Sequence, residues 1–195
     1  MQNDVSLRLA KRIWEVVEKE FESGELFEKV SPITKELLRF WFCEPFVSQR
    51  QFNFHKGQKQ SILNIIYLHE VLRINNVLEI YEQVAPDLLL ESDLFGAKET
   101  RNSLKESRYD LPKYLVKMAT GTGKTWVMHA LLIWQILNAK NEEEKSGRFT
   151  KNFLIVAPGL IVYDRLLDAY KGRLSENGYG RDFSTNDFVR NKDLF

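Results

Sequence analysis

The chain has a single cysteine among its 195 residues. One thiol cannot close an intrachain disulfide, which excludes a cross-linked secreted scaffold and makes a reducing compartment, the cytoplasm, the expected location. Cys43 ends the aromatic segment Phe40-Trp41-Phe42-Cys43, where a small buried hydrophobe is expected rather than a reactive thiol. An excess of either charge is also missing, since 28 Lys and Arg face 27 Asp and Glu. That balance excludes a global basic field, so any contact with nucleic acid must be local. No apolar run reaches the roughly 20 residues that span a bilayer. The first residues, Met1-Gln2-Asn3-Asp4-Val5-Ser6, lack a basic start followed by an apolar core, so no membrane attachment is expected. His55, His69 and His129 share no metal-ligand spacing with one another or with Cys43, which argues against a direct protein metal cluster. Internal repeats and low-complexity tracts are absent too.

What is there suffices for a core. Hydrophobic residues make up 44% and aromatic residues 12%, and thirteen Phe with four Trp exclude a disordered tail. The length suits one domain, or one domain and part of another.

Chemistry concentrates in Met118-Ala119-Thr120-Gly121-Thr122-Gly123-Lys124-Thr125. A β-type run, Tyr114 to Met118, precedes it and an apolar helix, Thr125 to Asn138, follows, so the order strand, phosphate loop, helix is predicted. Gly123 lets the backbone approach phosphate oxygens, and Gly121 relaxes the loop so that N–H groups point inward. Lys124 supplies a mobile ammonium, the Thr125 hydroxyl suits the shell of a Mg²⁺ ion, and the helix start adds its positive dipole end. Thr120 to Thr125 are therefore the candidate residues of a nucleoside triphosphate site. Met118 stands where the general phosphate-loop pattern has its first glycine.

Upstream, Ser6 to Phe21 repeats apolar residues at helical spacing, ending near Ser23-Gly24, and Ser31-Pro32 opens a second helix that Pro45 stops. Gly57 to about Val84 reads as one long helix or two in succession, closed by Pro86. Asp87 to Asp110 is polar and mixed in charge, with at most a short helix. Downstream, Asn141 to Lys151, with Glu142-Glu143-Glu144, reads as a solvated connection. Phe153-Leu154-Ile155-Val156-Ala157 is apolar on both faces, as a buried parallel strand requires. Pro158-Gly159 turns the chain, and Ile161 to Tyr170 is predicted helical with Leu166, Leu167 and Tyr170 toward the sheet. Ser175 to Lys192 shows no clear element. Trp126 and Trp134 accompany Leu131, Leu132 and Ile136, so they read as core. Lys56 and Lys59 fit a solvated helix start as well as contact with a polyanion.

Residues Leu115 to Leu167 resemble motifs I and Ia of superfamily 2 helicases, in the form carried by Res-subunit-like proteins of type III restriction systems. The residues that carry the resemblance are Met118 to Thr125, the helix Trp126 to Asn138, and Phe153 to Gly159 with Asp164-Arg165-Leu166; Met118 is ordinary in that version of the loop. Phe54 to Leu68 is similar to the family's glutamine-bearing helix, with Gln58 on the glutamine and Ser61 on the small residue three positions later. The resemblance implies that the Gln58 amide reads the adenine edge, one donor and one acceptor against N6 and N7; the nearby Gln60 is an alternative. It further implies contact of Pro158, Gly159, Leu160 and Arg165 with the phosphates of the tracked DNA strand, double-stranded DNA as the partner of the complete motor, ATP and Mg²⁺ as cofactors, and a modification or specificity subunit as a possible partner.

The implied fold is α/β. A helical N-terminal region (1–53) precedes the first part of a RecA-like ATP-binding domain (54–195) with parallel strands. That part holds the glutamine-motif helix, an insertion at about 86–112 and motifs I and Ia, and is incomplete at its C-terminus. Hydrolysis in the family also needs an apolar strand ending in Asp-Glu and arginine fingers from a second motor domain. Neither is recognisable here, so the expected role is that of an ATP-binding segment of a DNA helicase or translocase serving restriction, inactive alone. Two other classes remain open: a stand-alone nucleotide-binding or interaction module, and a P-loop kinase or small NTPase. The kinase reading is weaker because lid arginines and an acceptor site are not recognisable.

Overall fold

The computed structural model describes residues 5–89, 111, 113–141, 147–176 and 178–195. They fall into two compact units: Met1–Lys35 with His55–Val127, and Glu36–Phe54 with Met128–Phe195.

The first unit is helical. Helix α1 (Val5–Ser23) buries Leu9, Ile13 and Val17, spaced four apart, and ends at Gly24 in the left-handed region at φ 83°. A single turn, α2 (Leu26–Lys29), inserts the fully buried Leu26. Helix α5 (Lys56–Ile66) contributes Ile62, Leu63 and Ile66, all 0% exposed; each such side chain stabilises the fold by about 1.5–3 kcal/mol. A π-helical turn, Tyr67–Val71, follows, and Arg73 at φ 53° separates it from α6 (Val77–Val84), so the stretch from Gly57 to Val84 is two helices. Asn76 caps α6 by accepting from Glu79 N–H at 3.1 Å, and a 3₁₀ turn (Pro86–Leu89) buries Leu88 and Leu89. Helix α3 (Pro32–Phe42) starts in this unit at the expected cap, where the Ser31 hydroxyl accepts from Thr34 N–H at 3.1 Å. The buried Glu70 carboxylate accepts from Ser31 N–H and, at 2.7 Å, from the Thr34 hydroxyl, which puts negative charge at a helix N-terminus. Burial and the neighbouring Glu20 carboxylate, which accepts from the Tyr67 hydroxyl at 3.1 Å, push the Tyr67 phenol up to about 12.

The second unit is built on aromatic rings. Trp41, 1% exposed, donates its indole N–H to the Leu194 carbonyl at 3.1 Å and meets Phe54 edge-on. After the turn α4 (Phe46–Gln49), Arg50 donates to the carbonyls of Phe40, Trp41 and Phe46. From helix α7 (Lys124–Asn141), which begins in the first unit, this unit takes His129 and Trp134, both buried. His129 lies among the rings of Tyr170, Phe188 and Phe195, and Trp134 against Phe149. Helix α8 (Leu160–Lys171) ends at Gly172, whose φ of 82° suits glycine and where a Cβ would come within 1.8 Å of the Asp182 carbonyl oxygen. Strands β1 (Arg173–Leu174) and β2 (Arg181–Asp182) pair antiparallel, Arg173 opposite Asp182. A 3₁₀ turn (Phe183–Thr185) and α9 (Asp187–Arg190), capped by the buried Asn186, complete the unit.

Several expectations are corrected here. Among the described residues the one sheet is the β1–β2 ladder, so the parallel strands are not found. Residues 114–118 carry no strand, and half-buried Tyr114, Val116 and Met118 alternate with exposed Leu115 and Lys117. Phe153 to Val156 are exposed rather than buried, Leu154 at 89% and Val156 at 79%, and Ala157 is half-buried. A strand buried on both faces needs paired neighbours and a layer on each side, and two short β-type runs cannot supply these. Leu166, Leu167 and Tyr170 accordingly have no parallel sheet to face among the described residues; Tyr170 packs on His129 and Phe188. Residues 175–192, expected to be irregular, hold the second strand of the hairpin and a capped helical turn. Most of the proposed insertion and the Glu142–Glu144 run lie outside the described residues.

Candidate functional site

In the first unit the phosphate loop sits against the start of α5. Gly121 and Gly123 take φ of 82° and 74°, the left-handed region that makes glycine the preferred residue at both. Gly123 accepts the first bonds of α7, from Trp126 N–H at 3.0 Å and Val127 N–H at 3.4 Å. The N–H groups of Gly123, Lys124 and Thr125 make no hydrogen bond among the described residues. Three adjacent donors thus stand at the positive end of an 18-residue helix, an arrangement that suits an anion. Lys124 turns its ammonium back onto the loop, donating to the carbonyls of Met118 at 3.0 Å and Ala119 at 2.9 Å. The Ala119 carbonyl also accepts from the Thr122 hydroxyl at 2.7 Å. Thr120 is exposed and Thr125 half-buried.

Gln58 is 4% exposed, and every polar atom of its amide is engaged within the chain. Its Oε1 accepts from His55 N–H at 2.9 Å, and its Nε2 donates to the carbonyls of Gly123 at 3.2 Å and Thr122 at 3.4 Å. Ser61, one turn on, donates to Gly57 O at 2.8 Å and lies 4.0 Å from the Met118 sulfur. The glutamine helix and the loop are thus in direct contact, through residues 64 and 65 apart in sequence. Sequence reasoning excludes His55 as a metal ligand and misses its role. It is the N-cap of α5, and its Nε2 lies 2.9 Å from the Thr122 carbonyl oxygen. The available signal was the spacing His55-x-x-Gln58, that of a capping box.

Lys59 is placed over the Phe21 ring at 3.9 Å, and with Lys56 it lines a cavity of about 290 Å³ with Trp14 and Glu18 that no loop residue lines. In the second unit, Pro158, Gly159 and Leu160 are exposed at the start of α8, and so is Arg165. Arg165 has no carboxylate partner within 4.0 Å among the described residues; Asp168 pairs with Arg181 at 2.6 Å instead. No group of three His, Cys, Asp or Glu side chains that could hold a metal is found among the described residues. No described helix is long and apolar enough to cross a membrane.

The family model described as "Type III restriction enzyme, res subunit" matches residues 51–193. The chain belongs to that family. No curated protein and no solved structure matches it. Membership in the res-subunit family implies a RecA-like P-loop fold and an ATP-dependent, helicase-like superfamily 2 domain. The match covers the glutamine helix, the loop and the segment through Arg165, the residues in which the resemblance was read.

Proposed function

We propose that the chain is the ATP-binding segment of a nucleic-acid motor of the restriction type. The observation that supports this best is the loop itself: three adjacent N–H donors that meet no acceptor among the described residues, two glycines in the left-handed region, and a lysine beside them. These donors fit a triphosphate. Gly123, Lys124 and Thr125 N–H would hold its phosphates, the Lys124 ammonium would leave its two carbonyls to join them, and the Thr125 hydroxyl would enter the Mg²⁺ shell. ATP with Mg²⁺ supplies the energy-releasing phosphoryl group in such motors.

Gln58 is assigned the adenine edge, exchanging its loop bonds for the base. Pro158, Gly159, Leu160 and Arg165 are assigned to the phosphate backbone of double-stranded DNA, which they would grip without reading sequence. On this reading residues 1–53 form a helical lead-in and 54–195 the first part of a RecA-like domain, working in the cytoplasm with a modification subunit. The sequence has no apolar strand ending in Asp-Glu, so this chain is assigned binding of ATP with negligible hydrolysis by itself.

Thermal unfolding with and without millimolar ATP·Mg²⁺ tests the reading. A ligand held by the folded state alone raises the midpoint. An unchanged midpoint at saturating ATP would refute it.

A further inference from the structure

The contact between His55 and Thr122 bears on how the loop is held ready for phosphate. The Gln58 backbone N–H, which can only donate, approaches His55 Nδ1 at 3.4 Å, so Nδ1 is the acceptor. The Thr122 carbonyl, which can only accept, lies 2.9 Å from Nε2, so Nε2 carries the proton. The helix cap thereby sets the tautomer that the loop contact needs.

In a trans peptide the carbonyl and the following N–H point in opposite directions. Holding the Thr122 carbonyl toward α5 therefore turns Gly123 N–H away from α5. Holding the Gly123 carbonyl does the same for Lys124 N–H. Gln58 reaches both carbonyls only at 3.2 and 3.4 Å, and Gly123 O also serves the first turn of α7, whereas His55 makes the shortest contact to the Thr122–Gly123 plane. Left-handed glycines at 121 and 123 make these planes easy to rotate, so an external clamp matters here more than in a regular helix.

We infer that His55 is a positioning residue for nucleotide binding: through Nε2–H it fixes the Thr122–Gly123 peptide so that the loop's N–H donors face the phosphates. This rests on the loop being an ATP site. His55 touches no phosphate itself; its effect passes through the Thr122 carbonyl.

Two substitutions separate this role from helix capping. His55→Asn keeps a good N-cap acceptor but is too short to reach Thr122; His55→Gln places an amide N–H near the position of Nε2 but caps poorly. ATP·Mg²⁺ affinity, thermal midpoint and hydrogen exchange of the 119–125 segment are measured on the full chain. Positioning predicts an ATP affinity about three- to tenfold lower in His55→Asn, the value of one hydrogen bond, with the midpoint unchanged and exchange faster. It also predicts recovery toward wild type in His55→Gln. Affinity in His55→Asn equal to wild type, or an affinity order that follows the midpoints with His55→Gln lowest, overturns the inference. Should Lys124→Ala abolish binding while His55→Asn does not weaken it, the inference alone falls. Should the wild type bind no ATP, the proposed function falls and His55's role with it.

Discussion

The side-chain nitrogen of Gln58 stands where a Cβ on Gly123 would have to go: the two would be 2.2 Å apart. Gly123 therefore answers to two demands, a φ of 74° and the close approach of the glutamine helix, whereas Gly121, at φ 82°, has open space around it. Gly121→Ala should cost about 1–2 kcal/mol, the left-handed penalty alone. Gly123→Ala should cost more, and should also weaken ATP binding by moving Gln58. Urea unfolding midpoints and nucleotide titrations of the two variants check this; equal effects would mean that the contact does not constrain the loop.

Acid should loosen the second unit through His129. The imidazole is 0% exposed, neither ring nitrogen has a hydrogen-bond partner among the described residues, and burial pushes its pKa from 6.5 down to about 4. Between those values the unfolded chain binds a proton that the folded chain refuses, so stability falls as pH drops from about 6.5 toward 4. Asp187, 4.0 Å away, is itself raised by burial, and its contribution has the opposite sign. His129→Phe keeps the ring packing and removes the proton site. Thermal midpoints between pH 7 and pH 4.5 should therefore fall more gently in this variant than in the wild type, and parallel curves would contradict the assignment.

Much of the helical framework was legible in the sequence, because capping and apolar periodicity are local. Ser31-Pro32 did open a helix, Gly24 did close one, and the glycine-lysine-threonine block did precede one. The loop's contact with α5 was not legible, since nothing local in Gln58 points 64 residues ahead to Thr122. His55 escaped because a histidine cap is uncommon and its partner is a backbone carbonyl, which leaves no trace in side-chain patterns. The segment Phe153–Ala157 misled for a different reason: five apolar residues record a capacity to be buried, but burial also needs partners, and those are not in the run itself.

That correction has a mutational signature. Leu154, 89% exposed, should tolerate Leu154→Ser within about 0.5 kcal/mol, while Ile62→Ala, at a fully buried position of α5, should cost about 2–5 kcal/mol. Denaturation midpoints of the two variants decide it. A cost of several kcal/mol at Leu154 would restore the buried strand.

If the start of α8 meets a nucleic-acid backbone, Arg165→Gln should weaken DNA binding alike across sequences and lower the salt slope by about one, as loss of a single phosphate contact requires. Fluorescence anisotropy at several salt concentrations gives both quantities. An unchanged slope would remove Arg165 from the interface.

The most direct test of the loop's role is calorimetric titration of ATP·Mg²⁺ into the wild type and Lys124→Ala. Lys124 hydrogen-bonds two carbonyls of its own loop, and its ammonium is the one charged donor assigned to the phosphates. The account predicts measurable binding to the wild type and a loss of about tenfold or more in the variant, the scale of a charge-assisted hydrogen bond. Equal affinity in the two proteins would contradict it.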